Sequence, residues 1–321
     1  MRFKAILTTD GVILLEQRFL PAFERIGKLC HLYLTPSDLF LMHHMLSADG
    51  VQAIAQFPTA ELFSEHLISS ASADRIAFSL DLSLLARALR SSLATGAARH
   101  LLKLVKKSSS PNAPALPFLS LEAKGERSSI VQDIPISSPL PRSQLNELQA
   151  GIDLVHTLPE TLVQLPDLPS LRQLMERLQS VGDVADVATM RCGALAMRTQ
   201  TPSISIAAQF RNLRVFGANA ESQQSGADPG AGSRQGGGSE EEAEADISGL
   251  STRLRQMQAT GDATVVSVSL KHLARSLQCY LTRPDASYCG VAPNEACLLM
   301  IFQYANSPIS LQYRLPLLDP G

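Results

Sequence analysis

Leu82–Leu89 reads LSLLARAL, and Leu270–Leu277 reads LKHLARSL. The offset is constant, 273 − 85 = 188, and five of the eight positions are identical. Each block follows a β-rich run, Ile76–Leu80 in the first case and Thr264–Val268 in the second, so the match extends to a strand-then-helix unit. A second echo closes each half: Ile134-Pro135-Ile136 near the middle of the chain and Leu315-Pro316-Leu317 near its end. Two motifs repeated in the same order make an internal duplication the reading that organises the rest of the sequence.

Outward from these blocks, short alternating or β-rich runs dominate. In the first half they are Arg2–Leu7, Leu32–Leu34, Leu39–His43, Val51–Phe57, Arg75–Leu80, His100–Val105, Phe118–Ala123 and Ser129–Ile134. In the second half they are Thr161–Leu165, Ala185–Met190, Ala194–Arg198, Ile204–Phe210, Thr264–Val268, Leu298–Tyr304 and Ser310–Leu315. Helical period appears beside them at Leu15, Phe19, Phe23 and Ile26, and again at Leu168, Leu171, Met175 and Leu178. Pro21 and Gly27 fall inside the first of these stripes. An interior proline costs about 3 kcal/mol, so that helix is expected to begin near Phe19 or Leu20, or to kink there. Ser137–Ala150, SSPLPRSQLNELQA, sets two prolines and polar residues between apolar blocks and reads as a connector.

The chain has 321 residues, enough for two domains, with 45% hydrophobic and 18% charged residues. Its longest apolar runs fall far short of the ~20 residues of a membrane-crossing helix. Thr8, Thr9 and Asp10 interrupt any apolar leader region, which predicts a protein that is not secreted. Five scattered cysteines without a C-x-x-C pair predict reduced thiols rather than a disulfide framework or a zinc site.

The formal net charge of −2 hides an uneven distribution. Residues Gly217–Asp246 form a Gly/Ser/Ala/Glu-rich tract with seven acids and one base, a net of −6; the remainder is therefore −2 + 6 = +4. The tract is expected to be a disordered insertion. At 100° per residue, each helical stripe carries cations off its apolar side. Arg18, Arg25 and Lys28 accompany the first stripe, Arg87 and Arg90 the second, Arg172 and Arg177 the third, and Lys271 and Arg275 the fourth. Four helices sharing this feature point to one basic surface that takes a polyanion.

Catalytic constellations are missing from the sequence. Gly236–Gly238 follows no strand and opens no Lys-Ser/Thr helix, which argues against a phosphate-cradling loop. His272 and Cys279 stand two helical turns apart, too far for a nucleophile and its base. His43 and His44 sit in a strand-like run where neighbours point to opposite faces, so they cannot share a metal. Asp133, beside Ile134-Pro135, reads as a turn or edge residue.

With these residues set out, the chain resembles the DNA sliding-clamp family, and most closely the Hus-type subunit of the nine-one-one checkpoint clamp. The resemblance rests on Met1–Ala5 (MRFKA), on Cys30-His31-Leu32, on Ile130–Ile136 (IVQDIPI) and on Ile309–Pro316 (ISLQYRLP), and it spans the chain apart from the acidic tract. It implies an α+β fold of two tandem clamp domains, each with two helices packed on antiparallel sheet. The domains would be 1–136 and 151–321, joined by an interdomain connector at 137–150, with the insertion at 217–246. It further implies a non-catalytic subunit, without metal or cofactor, in a nuclear hetero-ring with two Rad-type clamp subunits. Such a ring is placed by a clamp loader around double-stranded DNA and serves client repair and checkpoint proteins away from any membrane. The nine cations named above would then face the DNA backbone. A homotrimeric replication processivity clamp and a docking scaffold that threads no DNA are the two alternatives.

Overall fold

The structure is a computed structural model that describes residues 1–43, 45, 50–108, 114–125, 128–154, 158–217, 247–293, 296–305 and 307–318. The chain divides into two compact units. The first holds Met1–His156 with Gln278–Asp285 and Ile301–Tyr313; the second holds Thr157–Leu277 with Ala286–Met300 and Arg314–Gly321.

The first unit opens with strand β1 (Arg2–Leu7) and a helical run of α1 (Thr9–Leu14), a π-helical turn (Leu15–Phe19) and α2 (Leu20–Glu24). It continues through β2 (Leu29–Leu34), β3 (Asp38–His43), β4 (Gln52–Pro58), a short α3 (Thr59–Leu62), β5 (Phe63–Ser69) and β6 (Ile76–Asp81). Then follow α4 (Leu82–Ala94), β7 (Arg99–Lys107), β8 (Leu116–Lys124), β9 (Ser129–Pro135) and α5 (Arg142–Asp153). One antiparallel sheet has the order β5-β1-β7-β8-β9, and β4, β3, β2 and β6 are consecutive neighbours in a second. Alternation decides which side of β1 is core: Phe3, Ala5 and Leu7 are buried while Arg2 and Lys4 are exposed.

Of the two expectations for Pro21, a late helix start is corrected, and an irregularity in the helix at that point is what the structure has. The first helix begins at Thr9, capped by the Thr8 hydroxyl, which accepts from the Gly11 amide at 2.9 Å. The turn from Leu15 to Phe19 widens to π geometry, and the Leu20 amide reaches back to the Leu15 carbonyl. Pro21 then stands in the first turn of α2, directly after the widened π turn.

The second unit contains β10 (Leu162–Gln164), α6 (Leu168–Gln179), β11 (Val184–Met190), β12 (Ala194–Gln200), β13 (Ser205–Phe210) and β14 (Val215–Phe216). After these come α7 (Ile247–Ala259), β15 (Ala263–Ser269), α8 (Leu270–Ser276) and β16 (Ala286–Val291); the 3₁₀ segment that follows α8 (Leu277–Thr282) belongs almost wholly to the first unit, and β17 (Cys297–Gln303) and β18 (Ser310–Pro316) each have residues in both. One sheet of the second unit runs β13-β12-β11-β15, and β14, β10, β16, β17 and β18 are consecutive neighbours in another sheet.

The repeat in the sequence is also a repeat of hydrogen bonds. In the first unit the Leu82 amide donates to the Lys28 carbonyl at 2.9 Å; in the second, Leu270, at the same repeat position, donates to Asp183 at 2.9 Å. The two Pro-containing endings each bridge the strand before the repeated helix, Ile136 to Leu80 and Leu317 to Val268. One residue further on, Ser137 donates to Ser79 and Leu318 to Ser267, at 2.9 and 2.8 Å. The acceptors again differ by 267 − 79 = 188 positions.

Two of the longer helices were not legible in the sequence. The second half of the segment read as a connector is α5, whose Leu145, Leu148 and Ile152 are buried against Tyr33, Phe40, Met42, Ile54 and Ala77. In the second unit α7 lays Leu254 and Met257 over Ala188, Met190, Ala194, Ala196 and Ala263. Each thus covers the β4-β3-β2-β6 sheet of one unit or the β13-β12-β11-β15 sheet of the other. The acidic tract from Ala218 to Asp246, and His44, lie outside the described residues.

Candidate nucleic-acid interface

In the first unit α4 packs beside α2 and the π turn. Asp81 caps α4 by accepting from the Ser83 and Leu84 amides at 2.8 and 3.4 Å. Leu82, Leu85, Ala86 and Leu89 are buried, which turns Arg87 and Arg90 outward. In the second unit α6 and α8 pack together, with Asp167 capping α6 through the Ser170 amide at 2.9 Å. Leu171, Met175 and Leu178 of α6 are buried, as are Leu270 and Leu273 of α8. Lys271 and Arg275, one turn apart on α8, are exposed.

The nine cations expected on these helices fall into groups. Arg25, Lys28, Arg87, Arg177, Lys271 and Arg275 are exposed and form no ion pair with a described residue. Arg25 is the C-cap residue of α2, and Lys28 lies between that helix and β2 rather than on the helix. Arg87 and Arg275 occupy one repeat position, 275 − 87 = 188. Arg90 is exposed, but its Nε donates to the largely buried Glu16 carboxylate at 2.8 Å. Arg172 is half-buried.

Arg18 has another task. Its Nε and Nη2 donate to the Thr282 carbonyl at 2.9 and 2.6 Å, and Nη2 also reaches the Arg283 carbonyl at 3.1 Å. The guanidinium lies 5.6 Å from the centre of the Tyr304 ring. Tyr304 in turn donates to the Thr282 hydroxyl at 2.6 Å, and that hydroxyl donates to the Cys279 carbonyl at 2.6 Å. Arg283 has φ +52°, a left-handed backbone that a non-glycine residue adopts only under constraint, and Arg18 is one of the groups that holds it. Its Nε and Nη2 are thus committed to backbone carbonyls, while Arg87 and Arg275 form no ion pair with a described residue.

Among the described residues no group of three or more His, Cys, Asp or Glu side chains could hold a metal ion. The cysteines are all free; Cys30, Cys279 and Cys289 are buried, and burial pushes their thiols well above the ordinary value. Buried thiols held neutral in this way are poor nucleophiles. His43 is buried, with Nε2 3.0 Å from the Phe23 carbonyl and its ring stacked on Phe23. Asp133 lies on the edge strand β9, paired with Lys107, which holds its carboxyl below the usual range. No helix among the described residues is long and apolar enough to cross a membrane.

Sequence reasoning missed a second set of exposed cations, on the sheets rather than the helices. Arg2, Lys4, Arg99 and Lys124 are exposed on the outward side of β1, β7 and β8. The signal was present as period-two alternation in RFKAIL, whose odd-numbered residues are core.

Comparison with known proteins supplies the family and the fold. The Hus1-like protein family model matches residues 1–319. A checkpoint protein hus1 homolog of Dictyostelium discoideum is 28% identical over 167 residues, which is 51% of this chain and 59% of that protein. The crystal structure of proliferating cellular nuclear antigen from Entamoeba histolytica superposes with a TM-score of 0.56 at 9% identity, covering 98% of each chain. The expected α+β fold of tandem clamp domains is therefore the fold observed.

Proposed function

The chain belongs to the Hus1-like family and has the sliding-clamp fold, and from that premise we propose that it is a non-catalytic subunit of a ring-shaped checkpoint clamp that encircles double-stranded DNA. The observation that carries this reading is the repeated exposed arginine, Arg87 on α4 and Arg275 on α8, joined by Lys271 and, less regularly, by Arg25, Lys28 and Arg177. Guanidinium and ammonium groups without an ion-pair partner among the described residues suit phosphate oxygens, which carry no sequence information, so a ring lined with them can slide. Ring closure is supported by open edges. Among the described residues, strands β9 and β13 are each the last strand of a sheet, leaving a row of backbone donors and acceptors for a neighbouring subunit to meet.

In this reading the partners are two Rad-type clamp subunits, placement on DNA requires a clamp loader, and the assembly works in the nucleus as a platform for checkpoint and repair proteins. The chain parts into clamp domains at 1–136 and 151–321. Two measurements test the proposal. Light scattering of the purified chain, alone and mixed with the two Rad-type subunits, should show a monomer alone and a one-to-one-to-one complex in the mixture; a trimer of the chain by itself indicates the processivity clamp instead. The Arg87→Ala/Lys271→Ala/Arg275→Ala variant in that complex should bind DNA with a shallower dependence on log salt, by about one unit of slope for each phosphate no longer neutralised, and with no change in sequence preference. An unchanged slope removes these residues from the interface.

A further inference from the structure

The outward side of the β5-β1-β7-β8-β9 sheet has no cover among the described residues, whereas α5 lies over the β4-β3-β2-β6 sheet and α7 over the β13-β12-β11-β15 sheet. Apolar side chains nevertheless stand on it. Leu67, Leu116 and Val131 are 57%, 57% and 54% exposed, and Leu101 and Phe118 are half-buried beside them. Register places these residues on one face. Leu67 pairs with Lys4 and Lys4 with Lys103; in the adjacent row Ile6 pairs with Leu101, Leu101 with Glu122 and Glu122 with Val131.

The charges on this face are unbalanced. Lys103 is neutralised by Glu122 and Lys107 by Asp133. Arg2, Lys4, Arg99 and Lys124 remain exposed without an ion-pair partner among the described residues, against Glu65 as the one unpaired acid described on the same face. A pleated surface that interleaves aliphatic side chains with unpaired cations has the chemistry of a receptor for an acidic, apolar-anchored segment. A single-stranded nucleic acid would want aromatic platforms for its bases, and Phe118 is the one aromatic ring described on this face.

We propose that the outward face of the β5-β1-β7-β8-β9 sheet is a docking surface for an acidic peptide of a partner protein, with Lys4 and Arg99 meeting its carboxylates and Leu67, Leu101 and Val131 its apolar side chains. The site lies on strands of the first unit and uses none of the helix cations assigned to DNA.

The test uses the full chain and fluorescence anisotropy of a labelled peptide of alternating Glu and Leu, with an alternating Lys and Leu peptide and an oligothymidylate as comparison probes. The Glu/Leu peptide should bind, and its affinity should fall by about tenfold or more in Lys4→Glu/Arg99→Glu and by a smaller factor in the neutral Lys4→Gln/Arg99→Gln. Leu67→Ser/Val131→Ser should weaken it without changing its salt dependence. Thermal melting of each variant separates a binding defect from a folding defect, since all these positions are at the surface. Equal binding of the two peptides, or binding indifferent to charge reversal, overturns the proposal. So does displacement of the peptide by oligothymidylate with the same dependence on Lys4 and Arg99, which would make a nucleic acid the occupant.

Discussion

Residue by residue, the structure separates cations that hold the fold from cations that are free to act. Arg18 was legible as a helix cation but not as an anchor, because its carbonyl partners at Thr282 and Arg283 lie 264 and 265 residues away in sequence. Arg18→Ala should cost roughly 2 to 3 kcal/mol in denaturant unfolding, the range of charge-assisted hydrogen bonds removed from partly buried carbonyls. The same variant should leave the salt dependence of DNA binding as it is, whereas Arg87→Ala should change the slope and not the stability. His100 gives a pH prediction. It is buried on β7, and burial holds its imidazole below the ordinary 6.5, so the folded state favours the neutral ring. As pH falls through 6.5 the unfolded chain takes up a proton that the folded chain refuses. Stability from this residue is therefore complete above that pH and declines below it. Urea unfolding followed from pH 8 to about 5 should show the decline, and His100→Leu should flatten it.

Among the elements, strands were more legible than helices outside the repeat. β1 to β4 and β6 to β9 each overlap one of the predicted runs, because period-two alternation over an antiparallel sheet is a local pattern. β5 (FSEHLIS) escaped because its exposed outward side includes Leu67 and so breaks the alternation. The helix α5 escaped because two prolines precede it and its large apolar residues are only Leu145, Leu148 and Ile152, too sparse to stand out from a connector. What makes it a helix is the apolar sheet face beneath it, with the Tyr33 hydroxyl donating to Gln149 at 2.7 Å as a polar tie. Burying three aliphatic side chains there contributes about 2 kcal/mol each. Leu148→Ala should then destabilise the protein by about 2 to 4 kcal/mol, and limited proteolysis should cut first between residues 137 and 154 in that variant. The π turn at Leu15–Phe19 has a similar lesson. Pro21 announced an irregularity, but its position in the first turn of α2 depends on how the preceding turn widens, which no pattern rule supplies.

For the whole molecule, the charge arithmetic leads to a prediction that needs no geometry. Removing residues 218–246 takes away seven acids and one base and moves the formal net charge from −2 to +4. Association with double-stranded DNA at low salt should tighten in that deletion variant and converge with the parent as salt screens the difference, which a titration at two ionic strengths would read. The sequence by itself determined the duplication, the strand-rich α+β character and the family. These reside in local periodicity and in motifs such as LSLLARAL and IVQDIPI that hold whatever the chain folds against. Only the tertiary structure decided which cations are committed and which are open. Whether Arg18 meets a phosphate or a carbonyl depends on what long-range folding places within 3 Å of it. It likewise decided that α5 and α7 each roof a sheet while the outward side of the β5-β1-β7-β8-β9 sheet has no cover among the described residues, since burial of a face is a property of its neighbours and not of its own residues.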